Sequence, residues 1–178
     1  MDALAILAAR EKENIRITES VTGTIEHQTH HLKSLGVFDE YKSIHKAYTQ
    51  LLTNDHEEEA LKGALFIQWF ALSEPSFVSG IDDIDLEAEL TVNTRLDQLL
   101  SFERTDAELT AMLQYYSTWE YVFQRHQFMH LRALQTFVAS VVTGAAMDMD
   151  RSLVKIEKMP ERGAMRRYWL SWSSSGLS

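Results

Sequence analysis

Apolar residues recur every three or four positions along most of this chain, which is the spacing of a helix face buried on a core. In the first 35 residues the members of this stripe are Ile15, Val21, Ile25, Leu32 and Leu35. Glycines at 23 and 36 predict an interruption and an end, because glycine disfavours helix interiors. A second stripe over residues 41–52, after a predicted cap at residue 39, indicates the next helix.

Residues 55–72 predict a helix that is apolar nearly all round. Asp55 and Glu58 have the spacing of a capping box, in which each side chain bonds a main-chain N–H left free at the helix start. The run at 66–70 is Phe-Ile-Gln-Trp-Phe, and only a helix surrounded by others buries it. We therefore expect Trp69 at the centre of the core. Pro75 ends the helix because it restricts the residue before it.

A further amphipathic helix is predicted over residues 82–102, and then comes the longest stretch without proline or glycine, 38 residues from Asp106 to Thr143. Thr105 and Glu108 predict its capping box, and Gly144 predicts a left-handed stop. One straight helix of this length would extend about 57 Å. A compact domain of this size is only about 40 Å across, so we expect a break at residues 124–127.

The end of the chain predicts a short helix over residues 150–159, a last helix over 161–172 and a frayed tail over 173–178. No repeat or linker divides the sequence. The fold class predicted is therefore all-α, an irregular bundle of six or seven helices forming a single domain over residues 1–178.

Composition narrows the classes of partner. The chain has no cysteine, which excludes disulfides and thiolate metal sites. The longest uncharged run, residues 133–147, is shorter than the roughly 20 residues that span a bilayer, and the first residues lack the basic region of a secretory signal. Residues 1–149 hold 11 Lys and Arg against 23 Asp and Glu, which disfavours nucleic acid and anionic membranes. We expect a cytoplasmic protein.

Histidines form the one candidate for chemistry. His126 and His130 are four residues apart, a spacing that on a helix places two ligands of one metal on the same face. His30 or His31, in the first helical segment, would supply the third ligand for a divalent metal such as zinc or nickel. The alternative is that His130 belongs to the apolar stripe of residues 123–141 and is a hydrogen-bonded core residue. We favour this structural role.

The segment His126-Gln127-Phe128-Met129-His130 resembles the late His-x-x-x-His of DinB-like bundles, and Gly23-Thr24-Ile25 ahead of His30 resembles the family's earlier histidine segment. The resemblance covers about 15 of the 178 residues. Leu131 and Arg132 depart from the small and basic residues usual after the second histidine. The resemblance implies a helical bundle with a histidine-ligated divalent metal and hydrolase or transferase activity.

The last predicted helix carries a mixture of basic and aromatic residues typical of interface hot spots. These candidate interface residues are Arg166, Arg167, Tyr168, Trp169 and Trp172. The alternative is that this helix docks its aromatic side on the acidic remainder of the same molecule. Because the sequence has no nucleophile elbow, phosphate loop or dinucleotide fingerprint, we expect a non-catalytic protein without a cofactor. It would act through a protein partner or as a homo-oligomer.

Overall fold

The computed structural model describes residues 2–53, 55–144, 151–154 and 162–174, with side chains at all of these positions except 120, 151 and 172–174. The α-helices in this part of the chain are α1 (Ala3–Ser20), α2 (Ile25–Ser34), α3 (Val37–Thr49), α4 (Glu57–Ser73), α5 (Ser76–Ser79), α6 (Leu86–Ser101), α7 (Ala107–Tyr116), α8 (Glu120–Phe123), α9 (Arg132–Thr143) and α10 (Gly163–Ser174). Short 3₁₀ turns cover His126–Phe128 and Arg151–Leu153. The structure is 76% helical, and its described residues contain no strand, which confirms the all-α prediction.

The chain divides into two compact units. Unit 1 comprises Met1–Ala88 and Ile156–Ser178, and unit 2 comprises Glu89–Lys155, so unit 2 is inserted in the sequence of unit 1. Within unit 1, α1 packs against α3, α5 and α10, and α4 packs against the same three helices. Within unit 2, α8 packs against α9, and α7 packs against the 3₁₀ turn at Arg151–Leu153. The single domain expected over residues 1–178 stays a prediction.

The number of helices is larger than the six or seven that the sequence predicted. The described residues contain ten α-helices, eight of them with seven residues or more. The interruption expected at Gly23 is confirmed, because this glycine has a φ of +127°, which side-chain-bearing residues rarely adopt. The stretch from residue 105 to residue 144 breaks earlier and more often than expected, because α7 already ends at Tyr116.

Two predicted caps in the first half of the chain were placed incorrectly. The helix after Gly36 begins at Val37, so Asp39 lies in its first turn and does not cap it. The central helix begins at Glu57 without a side-chain cap, which rules out the predicted box of Asp55 and Glu58. In both cases the chain enters the helix through a tight turn of its main chain, and burial of the following apolar residues fixes the start.

The caps of the later helices differ in detail. Asp106 caps α7 by accepting a hydrogen bond of 2.7 Å from the Leu109 N–H, so the predicted cap at Thr105 lies one residue too early. Gly144 ends α9 as expected, but its φ of −69° is not left-handed. The helix predicted over residues 150–159 lies mostly outside the described residues. The last helix extends through Ser174, so the tail does not begin at residue 173, and residues 175–178 lie outside the described part.

A buried carboxylate in unit 2 stabilises the break between α8 and α9. Glu89 is fully buried, pairs with the guanidinium of Arg125, and accepts a hydrogen bond of 2.9 Å from the Gln127 amide. On an uninterrupted helix residues 125 and 127 would point about 200° apart, so both cannot reach one carboxylate. The guanidinium also lies 4.8 Å above the Phe128 ring. These contacts favour the 3₁₀ turn over a continuous helix.

The core of unit 1 is centred where the sequence predicted. Trp69 is only 1% exposed, and Phe66 beside it is fully buried. Tyr168 of α10 meets the Trp69 ring edge-on at 4.8 Å between centroids, a geometry that aromatic pairs favour. The apolar central helix is therefore enclosed by its neighbours, as expected.

Trp69→Ala should lower the free energy of unfolding by about 3 to 5 kcal/mol, because the truncation leaves a cavity that the surrounding rings fill only in part. Urea melts followed by circular dichroism measure this loss. Phe102→Ala is the control, since that aromatic side chain is 71% exposed and its removal should change stability by less than about 0.5 kcal/mol. Equal losses in the two variants would contradict the central role of Trp69.

Candidate functional site

A cavity of about 330 Å³ lies in unit 1 between α1, α4, α5 and α10. Its volume falls within the range usual for small-molecule sites. Its apolar wall includes Ile15, Phe70, Val78 and Ala164, and its polar wall includes Thr18, Glu74, Ser79 and Arg167. An apolar wall with a few polar groups is the composition of a ligand site, so this cavity is the candidate functional site.

A buried carboxyl group lies one helical turn from Ile15 on α1. Glu11 is 2% exposed, accepts a hydrogen bond of 2.6 Å from the Tyr48 hydroxyl, and accepts another of 2.8 Å from the Ala164 N–H. Burial raises the pKa of Glu11 to about 7, although both hydrogen bonds lower it. Burial, with the charge of Glu11 beside it, raises the pKa of Tyr48, so this hydroxyl keeps its proton and donates it.

Glu11 also determines how the last helix begins. The Ala164 N–H belongs to the first turn of α10, where main-chain donors have no partner inside the helix. Gly163 precedes it with a φ of +52°, and a Cβ there would lie 2.5 Å from the Glu11 Oε2 atom. Arg162, also buried, donates two hydrogen bonds of 2.7 Å to Glu59 of α4. These contacts fix the cavity wall that α10 supplies.

The candidate interface residues of the last helix lie in two different settings. Trp169 is 3% exposed and belongs to the core, whereas Tyr168 is partly exposed and packs on the rings of α4. Arg166 and Arg167 are exposed, and Arg167 pairs with Glu19. The Trp172 side chain lies outside the described part. The contacts of Trp169 and Tyr168 agree with the alternative, docking on the same molecule, and the interface stays a prediction.

The structure does not place the candidate metal ligands as the helical spacing required. His126 begins a 3₁₀ turn and His130 lies in the turn after it, so the two are not on one face of an α-helix. Both are exposed, and the prediction that His130 is a core residue is therefore wrong. His30 and His31 are exposed on α2. Among the described residues no group of three acidic or histidine side chains is arranged to hold a metal ion.

Apart from Arg167 and Tyr168, the sequence analysis missed the polar residues in and beside the cavity wall, although one signal was present. Glu11, Asn14 and Thr18 follow Leu7 at spacings of three and four, so they continue its buried face with polar side chains. A polar stripe on the core side of a helix indicates partners elsewhere in the fold. The spacing alone does not say which partners these are.

Comparison of the chain with protein-family models, with curated proteins and with solved structures gives no match. In the described part of the chain, no helix is both long enough and apolar enough to cross a membrane.

Glu11→Gln should remove a pH dependence from the stability of the protein. The pKa of this carboxyl group is about 7 in the fold against 4.5 ordinarily, so the folded state holds the proton more tightly. Protonated Glu11 therefore adds about 3 kcal/mol to the free energy of unfolding. This stabilisation is fully present below about pH 4.5 and is lost as the pH rises through 7. Urea melts across this range measure the difference between wild type and variant. A difference that is the same at every pH would contradict it.

His45 should make the stability of the protein change with pH in the direction opposite to Glu11. This buried imidazole accepts a hydrogen bond of 3.0 Å from the Gln68 amide, and burial lowers its pKa from 6.5 to about 4. As the pH falls, His45 is therefore protonated in the unfolded chain before it is protonated in the folded one. The free energy of unfolding decreases for this reason below about pH 6.5. In the Glu11→Gln variant this slope should remain, so the variant should lose stability on acidification more steeply than wild type.

Changing His126 and His130 together to alanine should shift the free energy of unfolding by less than about 0.5 kcal/mol, because exposed side chains contribute little packing. This prediction replaces the expectation that His130 is a core residue. Thermal melts with and without zinc measure it, using protein purified without a histidine tag. A zinc-dependent rise in melting temperature that the double variant lacks would instead support the histidine-ligated metal.

Proposed function

We propose that this protein acts by binding and that the cavity beside α10 holds one small amphipathic molecule. The observation that supports the proposal is the cavity itself, about 330 Å³ with aliphatic and aromatic side chains on one wall and polar ones on the other. A pocket of this kind buries the apolar part of a ligand and orients its polar part. The proposal retains the non-catalytic class that the sequence favoured.

The hydrogen bonds around the cavity support binding over catalysis. The Thr18 hydroxyl donates to the Asn14 carbonyl at 2.8 Å, and the Ser79 hydroxyl donates to the Pro75 carbonyl at 3.2 Å. A catalytic nucleophile would instead donate to a general base. The nearby acid, Glu11, has both oxygens engaged by Tyr48 and Ala164. Neither hydroxyl is therefore activated in this arrangement.

We also propose a cytoplasmic location, which the cysteine-free composition supports. The acidic charge balance supports the absence of a nucleic-acid or anionic membrane partner. A protein partner or a second copy stays a prediction; of the aromatic residues expected to mediate it, Trp169 is buried and Tyr168 packs on α4. The DinB-like metal enzyme also stays a prediction. Neither has support comparable to the cavity.

Filling the cavity should abolish binding. Val78 lines the cavity and is 50% exposed, so Val78→Trp should occupy the space without disturbing the core. A set of small amphipathic molecules would be screened by the nuclear magnetic resonance shifts of backbone amides. We expect at least one compound to shift the amides of Ile15, Val78 and Ala164 in wild type and none to do so in Val78→Trp.

The matched control is Ile25→Trp, a similar change at a residue of α2 that is 57% exposed and does not line the cavity. This variant should bind like wild type and should melt at a similar temperature. Binding that survives in Val78→Trp, or a screen in which no compound shifts the cavity amides, would rule out the proposed function.

A further inference from the structure

Two hydroxyl groups in the cavity wall, those of Thr18 and Ser79, donate their hydrogens to main-chain carbonyls and so offer acceptors to the cavity. A hydroxyl has one hydrogen and two lone pairs. Thr18 uses its hydrogen on the Asn14 carbonyl, and Ser79 uses its own on the main-chain carbonyls of Pro75 and Ile81. The Ser79 oxygen also accepts a hydrogen bond of 3.1 Å from the Ile81 N–H, so Ser79 has one lone pair left and Thr18 has two to offer an occupant. A ligand that meets them must therefore supply the hydrogens.

A carboxylate adds negative charge to the same wall. Glu74 follows the last residue of α4 and lines the cavity. Among the described residues it has no cation within ion-pair distance. It also lies at the carboxyl end of a 17-residue helix, where the helix dipole favours a positive charge. Both features make this end of the cavity suited to a cation.

The positive group in the wall is already neutralised. The Arg167 guanidinium lies in direct contact with the carboxylate of Glu19, so its charge is compensated within the fold. The two aromatic rings in the wall, Phe70 and Tyr168, lie edge to face with centroids 6.0 Å apart. Ring faces attract organic cations. Apart from the guanidinium of Arg167, the described part of the wall therefore supplies acceptors, the Glu74 carboxylate and aromatic rings.

We propose that the occupant of the cavity is an organic cation, a protonated amine carried on an apolar group. The ammonium would donate its hydrogens to Glu74, Thr18 and Ser79, and the apolar group would lie on Ile15 and Phe70. This inference rests on the proposed function, because it names the class of ligand for the same cavity.

The experiment uses three ligands that share one apolar skeleton and differ in the polar end: phenethylamine, phenethyl alcohol and hydrocinnamate. Titration calorimetry at neutral pH gives the dissociation constant of each with the full-length protein. We expect the amine to bind about tenfold or more tightly than the alcohol, because only the amine supplies both charge and three donors. The carboxylate should bind most weakly, since it meets acceptors and a negative charge.

Glu74→Gln should reduce the affinity for the amine to about that for the alcohol, a loss of about tenfold, and leave the affinity for the alcohol unchanged. Glu26→Gln is the matched control, because it makes the same charge change at an exposed residue of α2 away from the cavity. This control should retain the preference for the amine, which separates a local contact with Glu74 from the effect of net charge.

Other outcomes distinguish this inference from the function on which it rests. If the carboxylate binds most tightly and Arg167→Gln abolishes that binding, the ligand is an anion, and the cavity remains a binding site. If amine and alcohol bind equally, the cation inference is wrong as well. Amine binding that persists in both Glu74→Gln and Val78→Trp would show attraction to the acidic surface, and it would overturn the cation inference for the cavity.

Discussion

The arrangement of unit 1 depends on the buried carboxyl group of Glu11. This group lies on α1 and accepts hydrogen bonds from Tyr48 of α3 and from Ala164 of α10, so three helices meet at it. A carboxyl group inside a protein is tolerated only when its hydrogen-bonding capacity is met, because desolvation costs several kcal/mol or more. The position of α10 is therefore tied to the other two helices. The position of α10 in turn determines the shape of the cavity.

Features of the fold that depend on residues close together in the sequence could be predicted. The spacing of apolar residues is sufficient for the all-α class, and the unbroken apolar run around Trp69 is sufficient to place that residue in the core. Helix starts were less accessible because two of them are capped from far away in the sequence. Asp97 accepts a hydrogen bond from the Leu134 N–H of α9, and Glu11 does the same for α10. No local motif contains such a cap.

The candidate site was harder to predict than the fold for a related reason. The histidine hypothesis assumed a continuous α-helix from residue 126 to residue 130. The structure has a 3₁₀ turn there, next to the ion pair of Arg125 with Glu89. The acceptors that the cavity presents depend on the directions in which the hydroxyl hydrogens of Thr18 and Ser79 point. Those directions follow from main-chain carbonyls of the folded state, and residue types alone do not encode them. Charge balance and cysteine content narrowed the classes of partner without locating a site.

The insertion of unit 2 within the sequence of unit 1 has a consequence during synthesis. The ribosome makes the helices up to Ala88 first, and α10 follows only after the whole of Glu89–Lys155 has been made. At the usual rate of synthesis the interval is roughly 4 to 16 seconds. Throughout it, the rings of Phe66 and Trp69 lack the cover of Tyr168 and the carboxyl group of Glu11 lacks its α10 donor. Until α10 is made, the nascent chain therefore leaves these rings without that cover, and unit 2 has all of its residues before unit 1 is complete.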